Sequence, residues 1–172
     1  MNNKSVIDVA TGDQHPAMFI LKSLGFSKVI GTDVVPPEKM KYHPFVKDGI
    51  QYIVDDILNT KIREKFDCVV CISVLEHFKL DCQKVALLNL MNMVSDDGCL
   101  VLTFDVSENR IITDAKMYED ILQSSGFYFQ NESIEGKTIV SSHTSPIVSP
   151  ILKNMNLSCY RLFATRKKLE KG

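Results

Sequence analysis

Residues 66–73 read FDCVVCIS, a run that is apolar almost throughout. A strand with one solvated face alternates apolar and polar residues, whereas an unbroken apolar run is what a strand buried on both faces shows. The neighbouring segments fit such a strand. SVIDV (5–9), KVIGTD (28–33), IQYIVDD (50–56) and CLVLTFDV (99–106) read as further strands. Between the first two, PAMFILKSLG sets Ala17, Ile20, Leu21 and Leu24 at helical spacing, with Pro16 near the first turn and Gly25 past the end. Residues 79–94 are predicted as a helix because Val85, Leu88 and Met91, and Leu87, Leu90 and Val94, recur at threes and fours. SDDG (95–98) then reads as a turn. Residues 113–127 read as a helix capped by Thr113 and closed by Gly126. The stretch 34–49 carries three prolines and holds at most a short helix.

Strands alternating with helices indicate a parallel sheet with helices on both faces. After residue 127 the pattern changes. Residues 127–134 and 156–168 read as two late strands with no long helix between them, which suggests an antiparallel pair at the sheet edge. The 172 residues, 45% hydrophobic and 24% charged, suit one domain with a proper core. Within it, 5–127 is the expected ligand-binding core, and 128–172 supplies edge strands and a loop.

Composition removes several functions. The net charge of -1 gives no broad basic face, so no nucleic-acid partner is expected. No apolar run reaches the ~18 residues of a membrane span, and the start has no signal-peptide layout. Five scattered cysteines do not make a disulfide framework. Cys68 and Cys71 form a CxxC, but residues three apart on a strand face opposite ways, so two buried thiols are expected rather than a metal or redox pair. A soluble cytoplasmic protein is the reading that follows. No His/Cys/Asp spacing resembles a zinc site.

Right-handed crossovers bring the carboxyl ends of the parallel strands to one rim, where ligands bind at the point of strand-order reversal. Four features meet there. Gly12 sits in the loop after the first strand, where backbone can approach a ligand. Asp33 ends the second strand 21 residues later, at the ~20-residue spacing that suits an acceptor for ribose hydroxyls. Asp56 ends the third strand, where a carboxylate can accept from an exocyclic amine, with Ile57 offering a backbone N–H and an apolar wall. ISVLEHF (72–78) brings polar side chains in abruptly after the fourth strand.

VIDVATG, GTDVVP, YIVDDI, FDCVVCISVLEHF, SDDGCLVLTF and ILQSSGF, in this order, resemble the motifs of class I S-adenosylmethionine-dependent methyltransferases. The resemblance covers residues 5–127. It implies an α/β fold, a Rossmann-like three-layer sandwich with a mostly parallel seven-stranded sheet whose last strand is antiparallel. It implies S-adenosyl-L-methionine as cofactor and S-adenosyl-L-homocysteine as product. Asp8, Ala10, Thr11 and Gly12 would face the methionine part, Asp33 with Val34 beside it the ribose, and Asp56 and Ile57 the adenine. Ser73 would lie near the methionine amine or the methyl group, with Leu75 packing nearby.

Two departures stand out. The family's DxGxGxG loop keeps only its middle glycine, because Ala10 and Gln14 hold the outer positions. Ala10 is tolerable there if its φ is negative. The helices that usually precede the first strand in that family are not seen before residue 5, so the cover would come from a homodimer or partner subunit, from the segments 34–49 and 135–152, or not at all.

Methyl transfer needs alignment, exclusion of water and, for a hydroxyl acceptor, removal of a proton. His15, His77 and Asp105 are the candidate catalytic groups. His77 reads more readily as the first turn of a helix, packed against the sheet. His43 and His143 sit in irregular segments. No NPPY-like tetrad follows the fourth strand and no Pro-Cys pair is present, which argues against base methylation in nucleic acids. The expected function is methyl transfer to a small-molecule or saccharide acceptor, the saccharide leaning coming from Gln14-His15-Pro16. A catalytically inactive domain acting as a binding or partner subunit is the alternative. A nicotinamide enzyme is disfavoured for want of GxGxxG.

Overall fold

The computed structural model describes residues 3–12, 16–39, 50–106, 111–129 and 158–167. The strands are β1 (Ser5–Val9), β2 (Lys28–Asp33), β3 (Ile50–Val54), β4 (Phe66–Ile72), β5 (Val94–Val106), β6 (Tyr128–Phe129) and β7 (Ser158–Thr165). The helices are α1 (Pro16–Ser23), α2 (Leu80–Met93) and α3 (Ile111–Ser124). All strands join one seven-stranded sheet in the order β3-β2-β1-β4-β5-β7-β6. β1 to β5 pair in parallel, and β7 runs antiparallel between β5 and β6. This is the Rossmann-like, mostly parallel α/β sheet expected, with its last strand antiparallel. Strand order reverses between β1 and β4, which makes their carboxyl ends the crevice.

The two faces of the sheet are covered unequally. On one, Ile7, Leu100, Leu102, Leu162 and Ala164 pack against Leu87, Leu90 and Leu122 of α2 and α3. On the other, Val6, Val29, Cys68 and Val70 pack with Met18 of α1. Cys68 and Cys71 belong to opposite clusters, as alternation along a strand requires. α1 sits close because β2 carries Gly31: a Cβ there would come within 2.0 Å of the Met18 sulfur. Any larger residue would lift the helix or displace a fully buried side chain.

Several local readings need correction. α1 buries Met18 and part of Leu21, while Ile20 and Leu24 are exposed together with Phe19. Likewise α2 buries Ala86, Leu87, Leu90, Met91 and Met93 but leaves Val85 and Leu88 exposed. Helical spacing identifies a helix, but with apolar residues on more than one side it cannot say which side meets the sheet. Residues 95–98 are not a turn ahead of the fifth strand. β5 begins at Val94, which pairs with Phe66, and the register shifts before Cys99 pairs with Cys68. α3 starts at Ile111, so Thr113 lies inside the helix rather than capping it. Its far end is as expected: Gly126 N–H donates to the Gln123 carbonyl and Phe127 N–H to the Leu122 carbonyl, closing the last turn with apolar Phe127 over Leu122. In the 34–49 stretch a single 3-10 turn, Pro37–Lys39, is described.

Candidate active site

Asp8 occupies the middle of the sheet, in register with Gly31 on β2 and Val70 on β4. Alternation along β1 puts its side chain on the α1 face, with Val6. The carboxylate is 1% exposed, and its Oδ2 has no hydrogen-bond partner among the described residues. Burial pushes its pKa up to about 6; the nearby Thr11 hydroxyl lowers it and the Asp33 charge raises it. The Thr11 hydroxyl is itself buried without a partner among the described residues. Two unsatisfied polar groups side by side at a strand end are costly unless something else meets them.

The loop above them is held by backbone bonds. Thr11 N–H donates to the Thr32 carbonyl at 2.9 Å. Gly12 N–H donates to Asp33 Oδ2 at 2.9 Å, while Val35 N–H donates to Oδ1 at 3.1 Å. Asp33 thus clasps the first loop to the end of β2, and each carboxylate oxygen keeps a lone pair for a ligand. Gly12 has φ +74, and no atom of the described residues lies within 4 Å of where its Cβ would be. Ala10 has φ +57, so the negative φ that would have made alanine harmless is not what the chain adopts. An L-residue there is strained by about 1–2 kcal/mol. Ser73, at the end of β4, is the second such residue at the rim, with φ +51. Its N–H donates to the Thr103 carbonyl at 2.8 Å. Backbone strain collected at one rim is a mark of a functional site.

The third strand supplies two acids with different duties. Asp55 is buried and accepts from the Thr60 hydroxyl at 2.5 Å and from Lys61 N–H at 2.8 Å, so it is spent on the turn. Asp56 is exposed and caps the 3-10 turn Ile57–Asn59, its Oδ1 accepting from Leu58 N–H at 2.9 Å. The Ile57 side chain is 5% exposed and packs in the core, so it forms no wall at the rim. Its carbonyl accepts from Asn89 Nδ2 at 2.7 Å. Among the described residues, exposed apolar surface at this end comes from Val34, Val54 and Ile72.

Leu75 is core, 1% exposed, beneath the 3-10 turn Leu75–His77. His77 is exposed on that turn and is not packed against the sheet. Asp105 lies on β5 opposite Cys159, and its backbone alone is described. Gln14, His15, His43 and His143 fall outside the described residues. Two contributors escape a reading of strand ends. Tyr52, inside β3, donates its hydroxyl to the Val35 carbonyl at 2.6 Å and pins the segment after Asp33. Thr103, inside β5, holds a buried hydroxyl with no partner among the described residues, three positions from the end of its strand. Strand parity flags Thr103, since it lies on the face of Cys99 and Val101; nothing local flags Tyr52.

An acid at each of the first three strand ends, a loop amide tied to the second, and unsatisfied polar atoms at the switch point define an α/β domain built to take a nucleoside cofactor. The methyltransferase-domain family profile matches residues 7–102, more than half the chain, and the chain belongs to that family, the class I S-adenosylmethionine-dependent methyltransferases. No curated protein sequence matches it. Solved structures share the fold. Magnesium protoporphyrin IX methyltransferase from Synechocystis, with bound S-adenosylmethionine, has TM-score 0.65 at 16% identity, covering 96% of this chain and 71% of its own. The Burkholderia thailandensis 1,6-didemethyltoxoflavin-N1-methyltransferase, with its substrate and S-adenosylhomocysteine, has TM-score 0.67 at 14% identity, covering 97% and 72%. A methyltransferase in complex with the Haloferax volcanii Trm112 activator has TM-score 0.68 at 11% identity, covering 99% and 85%.

The rim suits the family's cofactor, S-adenosylmethionine. Asp8 Oδ2, unpartnered among the described residues, is a ready acceptor for an ammonium group, and Asp33 keeps lone pairs for a diol. No helix among the described residues is long and apolar enough to cross a membrane.

Proposed function

We propose that this methyltransferase acts on a small-molecule or saccharide acceptor in the cytoplasm. The observation that carries the site assignment is the buried Asp8 carboxylate, whose Oδ2 has no partner among the described residues, beside the Asp33–Gly12 clasp. In this reading Asp8, Ala10, Thr11 and Gly12 hold the methionine end, Asp33 and Val34 the ribose, and Asp56 with the Ile57 backbone the adenine. Ser73 lies near the methyl group, with Leu75 supporting its turn from below. When bound, the cofactor supplies a methyl group on a positively charged sulfur, already a good leaving group. The protein's share is to align the acceptor, exclude water and take a proton. His15, His77 and Asp105 are the proposed proton acceptors, and the exposure of His77 at the rim supports its place among them.

The porphyrin and toxoflavin substrates in the neighbours' names support a small-molecule acceptor; the saccharide option rests on the Gln14-His15-Pro16 loop. The neighbour bound to an activator supports a cover supplied by a second chain, either another copy or a partner subunit. Calorimetry tests the cofactor site. S-adenosylhomocysteine is expected to bind, and Asp33→Ala to weaken it by at least about tenfold, the value of a lost charge-assisted hydrogen bond. Absence of heat at millimolar ligand would sink the assignment. Labelled methyl transfer to a panel of small molecules and sugars tests the acceptor; binding without turnover on any of them would favour the alternative of an inactive partner subunit.

A further inference from the structure

Away from the rim, near the amino end of β4, two thiols lie side by side. Cys68 on β4 and Cys99 on β5 are register partners on parallel strands. Paired strands lie about 4.8 Å apart, inside the roughly 4.4–6.8 Å range of Cα separations that disulfides span. Both side chains lie on the α1 face, Cys68 within its buried cluster and Cys99 packed against it. The strand register is irregular just before this pair. α1 packs on β1 and β2, so Cys99 is only partly buried. The neighbouring Cys68 thiol shifts Cys99 toward its thiolate, against the opposing effects of burial and the Asp67 charge and with Lys4 the smallest contributor, while Cys99 and burial push the Cys68 thiol up. Cys71 contrasts with both: it lies on the opposite face, 1% exposed, and burial pushes its thiol up.

We propose that Cys68 and Cys99 form a peroxide-sensitive dithiol that closes to a reversible disulfide between β4 and β5. The Cys99 thiolate attacks one oxygen of hydrogen peroxide. The O–O bond breaks, Cys99 becomes a sulfenic acid, and the departing hydroxide gains a proton to become water. The Cys68 sulfur then attacks the sulfenic sulfur. The S–S bond forms, the S–O bond breaks, and the hydroxyl leaves as a second water with the Cys68 proton. The two sulfurs lose two electrons and the peroxide gains them. A bond bridging in-register strands is strained, and strained disulfides are the readily reduced ones.

The full chain is treated with a few equivalents of hydrogen peroxide, alkylated while unfolded and digested with trypsin. Two of the five cysteines are expected to escape alkylation, with peptides 66–79 and 85–110 joined through Cys68 and Cys99. Dithiothreitol should restore both thiols. Cys99→Ser abolishes the link and Cys71→Ser leaves it intact; Cys99 is partly exposed, so its serine variant folds even where Cys68→Ser does not. Full alkylation of all the thiols after peroxide would overturn the proposal. So would a Cys99 driven straight to sulfonic acid with Cys68 free, or a link from Cys99 to Cys82 or Cys159.

Discussion

Asp8 and Ala10 carry most of the information at the scale of single residues. Burial lifts the Asp8 carboxyl in the folded chain from the ordinary 3.8 to about 6. A carboxyl raised on folding costs nothing below its unfolded pKa, and its penalty grows as pH rises between the two values. The unliganded chain should therefore lose on the order of 2–3 kcal/mol between about pH 4 and pH 7 through this group. Urea denaturation across that range checks it, and Asp8→Asn should flatten the dependence. Binding reads the same group with the opposite sign. An ammonium at Oδ2 favours the ionised form, so S-adenosylhomocysteine affinity should rise by up to about tenfold per pH unit below pH 6 and level off above it. A flat profile in calorimetry would remove Asp8 from the ammonium's environment. Ala10 sits in a left-handed conformation. Ala10→Gly should stabilise the chain by about 1 kcal/mol, and Ala10→Val should destabilise it, because a β-branched residue tolerates positive φ least. The substitution of alanine for glycine was legible in the sequence, but its backbone angle was not. That angle follows from the bond between Thr11 and Thr32, two strands meeting across a loop.

Among the elements, strands were more legible than helix faces. β1 and β2 fall where the short runs SVIDV and KVIGTD put them, because composition over a few residues is a local signal. α1 was legible as a helix, yet its buried side is set by Gly31 on another strand. Gly31→Ala should destabilise by about 1–3 kcal/mol, the usual cost of overpacking. Combined with Met18→Ala the loss should be well short of the sum of the single changes, since the clash is with that side chain. Additive losses in denaturant melts would mean that α1 is not seated by this contact. Asp55 and Asp56 show the same limit. They are adjacent acids at one strand end, and only the position of Thr60 and Lys61 commits the first to the turn.

At the scale of the whole molecule, the central strands β1, β4 and β5 are paired on both sides, whereas β3 and β6 are edges. Local opening is cheapest where a strand has one neighbour and little cover. Hydrogen exchange should thus leave amides of β1, β4 and β5 protected longest, with β3 exchanging well before them; β3 amides as slow as those of β1 would contradict this picture.

The order of strands and helices and the acids at successive strand ends were determined by the sequence itself. So was the opposite facing of Cys68 and Cys71. Periodicity and strand parity act over a few residues, and the family motifs are short. Tertiary structure alone decided which side of each helix is core, which acid is free, how Ala10 bends, and that Tyr52 pins the chain after Asp33. It also decided that Cys68 lies beside Cys99. Each of these depends on a partner many residues away, brought near only when the sheet assembles.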